Sequence, residues 1–309
     1  MRILVTGGKG YIGSVVCNNL RAKHEISDFA GYNITKPEEI AKALSEFKPD
    51  IVVHLAALAN IRICNENPQK CHEINFEGTK NLLEAMEKLG HNKLIFASSA
   101  AVYKTSNTPL KEDNKTMFSS PYGKSKLEAE NIINSYNSIN SICFRFFNAA
   151  GASLCGNYGE KHKPETHLIP IAIAAAMFPD KELAVFGTDY NTPDGTAIRD
   201  YLHVEDISAA IELGIAYLSS YKTKDVFNLG SGTGYSVKQV IAKIEELTGK
   251  KVKCKYSERR SGDAERLLAD ITKAEKVLGW TPKYSDLDKI IKTAYSWHCK
   301  NQELLQEAV

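Results

Sequence analysis

Short apolar runs separated by longer amphipathic stretches organise the first half of this chain. Ile3 to Val5, Ile51 to Leu55, Lys93 to Ala97 and Ser141 to Phe146 are brief and β-branched or aromatic, which predicts buried strands. Between them, apolar residues recur at three- and four-residue steps, as in Gly78 to Leu89, with Leu82, Leu83, Met86 and Leu89, and in Lys124 to Tyr136. Strands alternating with helices imply crossover connections, and therefore a parallel sheet covered on both faces. The expected fold class is a doubly wound α/β domain.

Beyond Gly151 the alternation loosens. A Gly/Tyr/Lys-rich loop over Cys155 to Lys163 precedes an apolar helix around Leu168 to Met177, and a second loop runs from Gly187 to Arg199. A helix is expected from Asp206, and Val226 to Leu229 reads as a strand able to return to the sheet. With Tyr235 to Leu247 and the tail from Ala274 to Lys300, the second half reads as a smaller mixed α/β domain. The expected boundary is near residue 148, giving units of 1–148 and 149–309 with a segment near 200–230 returning to the first. No repeat or low-complexity linker separates them, so a fixed shared cleft is expected.

Charge changes this picture little. The chain has 39 Lys and Arg against 37 Asp and Glu, so no global field selects for nucleic acid or an anionic membrane. Any anionic ligand must be met by a few placed side chains. Seven cysteines without a CxxC pair suit free thiols in a reducing compartment, and the eight histidines show neither HExxH nor tight Cys/His spacing, so no metal is expected. The chain opens directly into an apolar strand and has no run of about 20 apolar residues, which reads as cytoplasmic.

Two motifs carry chemistry. Gly7, Gly10 and Gly13 in VTGGKGYIG follow the first strand and open a helix bearing Val15, Val16 and Leu20. Glycine there permits the turn and lets backbone N–H groups approach a pyrophosphate at the positive helix end. Tyr122 and Lys126 in SPYGKSK lie four apart, on one helix face, and a neighbouring ammonium favours the phenolate of a tyrosine otherwise too weak as a base. A Tyr-x3-Lys pair alone is usually a surface contact. Here Ser98 and Ser99 in FASSAAVY end an apolar strand one βα unit upstream, where doubly wound folds place ligands.

The glycine spacing with Ser99, Tyr122 and Lys126 resembles the extended short-chain dehydrogenase/reductase family, and among its members the nucleotide-sugar 4-epimerases. The resemblance implies a Rossmann-type fold, NAD as cofactor, a homodimer, and Ser99, Tyr122 and Lys126 as the catalytic triad. The cofactor would meet Gly7, Gly10, Tyr11, Ile12 and Gly13, with Leu55, Ala56 and Ala57 of HLAALA flanking it and Ala59 standing where many relatives have lysine. Asp28 would hold the adenosine ribose and favour NAD over NADP, Asn33 and Ile34 would face adenine, and Asn75 of INFEGT, supporting the active-site strand, would join Tyr122 and Lys126 among the cofactor contacts. Asp28 is followed at once by AGYNIT, which reads as the third strand and leaves the adenine pocket short of a wall.

The second half extends the resemblance. Asn148 in RFFNAAGA would reach the substrate diphosphate, although the motif's first aromatic is Phe146 rather than tyrosine. His167 and Leu168 in ETHLIP would grip diphosphate and uracil, Val185 and Phe186 would line the uracil site, and Tyr201 belongs to the same epimerase-like stretch. Arg199 and Arg260 would pair with phosphates and Asp263 with the uridine ribose, in the motif RRxGD. Leu267 would limit room beside the sugar C2 substituent. The implied activity is 4-epimerisation of a UDP-hexose, UDP-glucose or UDP-galactose with N-acetylated forms left open, through a transient 4-ketone. The short segment after Asp28 supports an alternative, an NAD(P)H-dependent nucleotide 4-ketosugar reductase. Ala100 and Ala101, where 4,6-dehydratases carry Asp and Glu, argue against dehydration, and the intact Tyr-Lys pair argues against a sensor without chemistry.

Overall fold

The computed structural model describes residues 1–104, 106, 108–260 and 263–309. Six strands form one parallel sheet in the order β2-β1-β3-β4-β5-β9: β1 Arg2–Thr6, β2 Glu25–Ser27, β3 Ile51–His54, β4 Lys93–Ser99, β5 Asn140–Phe146 and β9 Lys224–Leu229. All five pairings are parallel. The order reverses between β1 and β3, and that switch point opens a crevice at the strand carboxyl ends.

Helices cover both faces. On one lie α1 (Tyr11–Leu20), α8 (Val204–Ser220) and α10 (Thr272–Leu278), which bury Val16, Leu20, Ile207, Ile211 and Ala274 against Ile3, Val5, Ile95 and Phe144. On the other lie α2 (Pro37–Phe47), α5 (Gly78–Leu89) and α6 (Pro121–Ser135), packed on Leu4, Val52, Leu94 and Phe96. Alternate strand residues therefore feed two cores, which is why the strands read as continuous apolar runs. The short helices α3 (Ile61–Glu66) and α4 (Pro68–His72) lead through a π-helical turn, Glu73–Glu77, into α5.

AGYNIT is not a strand. Phe29 takes a positive φ of 58°, the chain turns through residues 30–35, and Pro37 at the first position of α2 starts the crossover helix. The third strand in sequence is β3, and the apolar residues of AGYNIT serve the core instead: Ile34 is buried in the cluster beneath α2 and α5.

The rest of the chain builds a smaller layer at the carboxyl end of the sheet. β6 (Asn148–Ala150) and β10 (Gly234–Ser236) flank β8 (Ile198–His203), β12 (Arg266–Leu267) also pairs with β8, and β7 (Leu183–Phe186) pairs with β11 (Cys254–Ser257). The helices α7 (Leu168–Met177), α9 (Val237–Thr248), α11 (Leu287–Lys300) and α12 (Gln302–Ala308) share a third core through Ile173, Val240, Ile244, Ile290, Ile291 and Leu305. Among the described residues, no helix is long and apolar enough to cross a membrane.

Candidate active site

The glycine loop is shaped by contact as much as by turning. Gly7 adopts φ +72°, and a Cβ on Gly13 would run into the Gly7 carbonyl oxygen, so the first turn of α1 can close on the end of β1 only without side chains. No side chain caps α1 at Gly10, so its first N–H groups face the crevice with the positive end of the helix. Tyr11 Oη donates to the Gly151 carbonyl at 2.6 Å, tying this loop to the second half of the chain.

Behind the loop runs a buried hydrogen-bond chain whose direction can be read off. Thr79 Oγ1 donates to the Asn75 carbonyl (2.6 Å), so it accepts from His54 Nε2 (3.0 Å). His54 Nδ1 then accepts from Thr6 Oγ1 (2.6 Å), which itself accepts from the Ala56 N–H (3.2 Å). This is a neutral imidazole, and burial pushes His54 down to about 3. Thr6, His54 and Thr79 were not legible as site residues; they hold the HLAALA loop against the glycine turn.

Tyr122 reaches the crevice because of local sequence. Ser120 caps α6 by accepting from the Gly123 N–H at 3.1 Å, Pro121 fits the first helical position, and Gly123 lets the helix approach the Ala101 carbonyl, which any Cβ would strike. That approach sets Tyr122 beside Ser99, whose Oγ accepts from the Ala101 N–H at 3.2 Å. Lys126 is 2% exposed, donates to the Ala97 carbonyl at 2.7 Å, and stands 5.9 Å from the Tyr122 ring centroid. Burial lowers Lys126 to about 8, against nearby thiols and Glu130 that favour the ammonium. Burial raises Tyr122 to about 12, while Ser99 acts in the opposite sense.

Asn75 is not at the crevice. Its side chain is buried, accepts from Leu58 N (2.7 Å), and donates to the Leu58 carbonyl (3.0 Å) and Ser125 Oγ (3.0 Å), so it ties the HLAALA loop to α6 with both amide hydrogens in use. Its place in the π-helical turn turns the amide inward.

Gly7, Gly10, Tyr11, Ile12, Gly13, Leu55, Ala57, Ser99, Tyr122 and Lys126 line one cavity of about 310 Å³, joined there by Phe146, Phe147, Ala149 and Glu160. Asp28, Asn33 and Ile34 lie outside it. Asp28 sits just past β2 between Lys9 (3.7 Å) and Arg21 (3.8 Å), Asn33 folds its Oδ1 back onto Thr35 N (3.0 Å), and Ile34 packs inward. The sequence reading that put all three around an adenosine is thus met by an open surface rather than a walled pocket.

A second cavity, of about 320 Å³, adjoins the first, sharing Ile61, Asn148, Ala149, Glu160 and His167. Asn148, His167, Leu168, Val185, Phe186, Arg199, Tyr201, Arg260 and Asp263 all line it. Alternation along β8 explains part of this: Arg199 and Tyr201 face the cavity, while the intervening Asp200 turns away and accepts from Ser231 N and Ala269 N. Arg260 stacks 3.8 Å over the Phe186 ring. Arg199 and Asp263, expected to meet separate parts of a ligand, form an ion pair with each other. Ser261 and Gly262 of RRxGD lie outside the described residues. Leu267 lines neither cavity and packs with Val102, Tyr103, Leu110 and Phe147. His167 Nδ1 is 2.7 Å from Glu160 and 2.8 Å from Glu165. Burial alone would lower His167, but these carboxylates override it and lift it to about 10.

A doubly wound sheet with an uncapped glycine-loop helix at its switch point, and a Ser-Tyr-Lys set beside it, is the frame of a dinucleotide-dependent enzyme of the short-chain dehydrogenase/reductase class. The chain belongs to the NAD dependent epimerase/dehydratase family, whose model matches residues 3–230. It is 37% identical to the UDP-glucose 4-epimerase of Rhizobium leguminosarum bv. trifolii, over 97% of this chain and 98% of that protein. A crystal structure of UDP-glucose 4-epimerase from Stenotrophomonas maltophila, with NAD and formylated UDP-arabinopyranose, is similar with a TM-score of 0.92 at 32% identity, covering 98% of this chain and 99% of that one. The UDP-Glc/GlcNAc 4-epimerase of Campylobacter jejuni is similar at TM-score 0.84 and 33% identity, over 97% and 99%.

Proposed function

We propose that this chain is an NAD-dependent UDP-hexose 4-epimerase, interconverting UDP-glucose and UDP-galactose. The observation that carries the reading is the meeting of two cavities, one with Ser99, Tyr122 and Lys126 and the other with Arg199 and Arg260, in a chain similar to UDP-glucose 4-epimerases along nearly its whole length.

NAD fits the first cavity: α1 has no side-chain cap, and side chains at Gly7 and Gly13 would strike the backbone of Ala56 and Gly7 and so prevent the loop from closing into a cradle. Gly7, Gly10, Tyr11, Ile12 and Gly13 would hold its pyrophosphate, Leu55, Ala56 and Ala57 would flank it, and Asp28 would meet the adenosine ribose, with Asn33 beside the base and Ile34 held in the core beneath it. When bound, NAD supplies a hydride acceptor that later returns the hydride. Tyr122 takes the proton of the sugar 4-hydroxyl and gives it back after the ketose has turned. Lys126 stabilises the phenolate by charge, and Ser99 hydrogen-bonds the same sugar oxygen. Arg199 and Arg260 hold the diphosphate with Asn148 and His167. Leu168, Val185, Phe186 and Tyr201 would enclose the uracil, and Asp263 would exchange part of its bond to Arg199 for the uridine ribose.

Residues 1–148 thus serve the cofactor and 149–309 the nucleotide sugar, with β9 returned to the sheet. The enzyme works in the cytoplasm as a homodimer by family resemblance; Leu82, Leu83 and Met86 are committed to the core, so a seam would use other residues of α5 and α6. N-acetylated sugars are a second reading, because Leu267 stands away from both cavities and the Campylobacter jejuni relative is a UDP-Glc/GlcNAc enzyme. The test is turnover of UDP-galactose and UDP-N-acetylgalactosamine by protein purified without added cofactor. Conversion of either supports an epimerase; stoichiometric NADPH consumption with a 4-ketosugar, and no conversion without it, overturns that in favour of the reductase.

A further inference from the structure

The loop between β6 and α7 contains a repeat that the glycine and Tyr-Lys motifs overshadow: Glu160-x-His162 and Glu165-x-His167. The fold brings the four side chains to one point. One ligand atom from each, a carboxylate oxygen or a ring nitrogen, lies within 4.8 Å of all the others. His162 Nδ1 is 2.9 Å from Glu160 and 3.9 Å from Glu165, while His167 Nδ1 is 2.7 Å and 2.8 Å from the same two residues.

Hydrogen-bond counting makes this arrangement unusual. Glu160 Oε1 faces both Nδ1 atoms, and His167 Nδ1 faces two carboxylate oxygens although a ring nitrogen carries at most one hydrogen. Glu160 and Glu165 are 6% and 7% exposed, so water does little to relieve them. Glu165 Oε1 already accepts from Thr166 N (2.7 Å) and His167 N (2.9 Å), so a single central cation would be met by Glu160 Oε1, Glu165 Oε2 and the two Nδ1 atoms. A tetrahedron of N and O ligands about 2.0 Å from zinc has edges of about 3.3 Å, which lies between the 2.9 Å and 2.7 Å from Glu160 Oε1 to the two Nδ1 atoms and the 3.9 Å from His162 Nδ1 to Glu165 Oε2.

We propose that Glu160, His162, Glu165 and His167 form a binding site for one divalent cation of the zinc class. Two imidazole nitrogens with two carboxylate oxygens suit a borderline ion, and the ligand number suits a closed structural site without an open position. The site is anchored from outside: Trp297 Nε1 donates to the Glu160 carbonyl (3.0 Å), Glu165 N donates to the Ala308 carbonyl (2.8 Å), and Asn60 Nδ2 donates to the Pro164 carbonyl (3.2 Å). It also touches function, because Glu160 and His167 line both cavities and the His162 ring meets Tyr11 of the glycine loop edge-on at 6.4 Å. The ion pins the lip where the two cavities join.

The test uses the full chain stripped with a chelator and titrated with Co2+ alone. Wild type should bind one Co2+ per chain, by atomic emission, with the strong visible absorption of a four-coordinate site. His162→Cys, folded by circular dichroism, should keep that stoichiometry and add a thiolate-to-cobalt charge-transfer band that wild type, with its seven native thiols, lacks. A His162→Ala, Glu165→Gln double variant, folded by circular dichroism, should bind at least about tenfold more weakly. The proposal is overturned if wild type takes up no more Co2+ than the double variant, or if His162→Cys leaves the cobalt spectrum unchanged; the four groups are then a hydrogen-bonded network without an ion.

Discussion

Tyr122 and Lys126 are opposed by their own burial: desolvation raises the phenol to about 12 and lowers the ammonium to about 8, each toward its neutral form. Catalysis needs the reverse state, and at neutral pH the buried lysine carries the cost, since the phenol is neutral folded and unfolded. Lys126→Met should therefore abolish turnover yet raise the melting temperature of the cofactor-free protein at pH 7. The sign follows from the lowered lysine: the unfolded chain holds the proton more tightly, so the penalty is full below about 8 and disappears as pH approaches the ordinary 10.5. The stabilisation by methionine should vanish over that window in thermal melts run from pH 7 to 11. Tyr122→Phe should lower kcat by roughly 10²–10⁴-fold while the nucleotide released from denatured protein stays at the wild-type level; retained activity would remove Tyr122 from the mechanism. Ser99, Tyr122 and Lys126 were readable in sequence because a four-residue step fixes a helix face and a strand end fixes a crevice. Asn75 was misread because nothing in INFEGT reveals that a π-helical turn points its amide at Leu58 and Ser125.

The element that positions this pair is α6, and its far side is held by charge. Arg145 on β5 donates to Glu130 through Nε (2.9 Å) and Nη2 (2.7 Å), and its Nη1 reaches Tyr103 Oη at 2.8 Å, which donates in turn to Asn228 on β9 at 2.6 Å. Ser98 beside the active-site serine donates to the same Glu130. Tyr122, Lys126 and Glu130 thus follow one helical face at four-residue steps, from crevice to interior. Glu130→Ala leaves the Arg145 guanidinium buried without its partner, and should lower the unfolding free energy by about 3–5 kcal/mol in urea titrations. Glu130→Leu with Arg145→Met should recover most of that loss; a double variant as unstable as the single one would show that packing, not the uncompensated charge, dominates. Gly123→Ala should also depress activity far more than stability, measured by turnover and melting temperature together, because the Cβ pushes the first turn of α6 from Ala101 and carries Tyr122 away from Ser99.

At the scale of the whole molecule, two buried imidazoles join the layers. His54 links β1, the HLAALA loop and α5, while His203 ends β8, bonds Thr293 on α11 at 2.9 Å, and is lowered to about 4, chiefly by burial. Both are neutral when folded, so the unfolded chain binds more protons below 6.5 and stability falls as pH drops. The slope from this pair should be about 2.5 kcal/mol per pH unit around pH 5. Urea titrations across pH 4.5–7 measure it, and His203→Asn should remove roughly half of it. The alternation of strands and helices, the glycine loop and the Tyr122–Lys126 pair were determined by sequence alone, since each depends on local periodicity or on residues adjacent along the chain, whereas the lining of the second cavity was expected only from the family resemblance. Tertiary structure decided the remainder: that AGYNIT is a turn feeding the core, that Arg199 pairs with Asp263, that Leu267 stands away from the cavities, and that two E-x-H pairs close on one point. Those outcomes depend on which distant segments meet in space, and no pattern along the chain encodes a meeting between residues brought together only by folding.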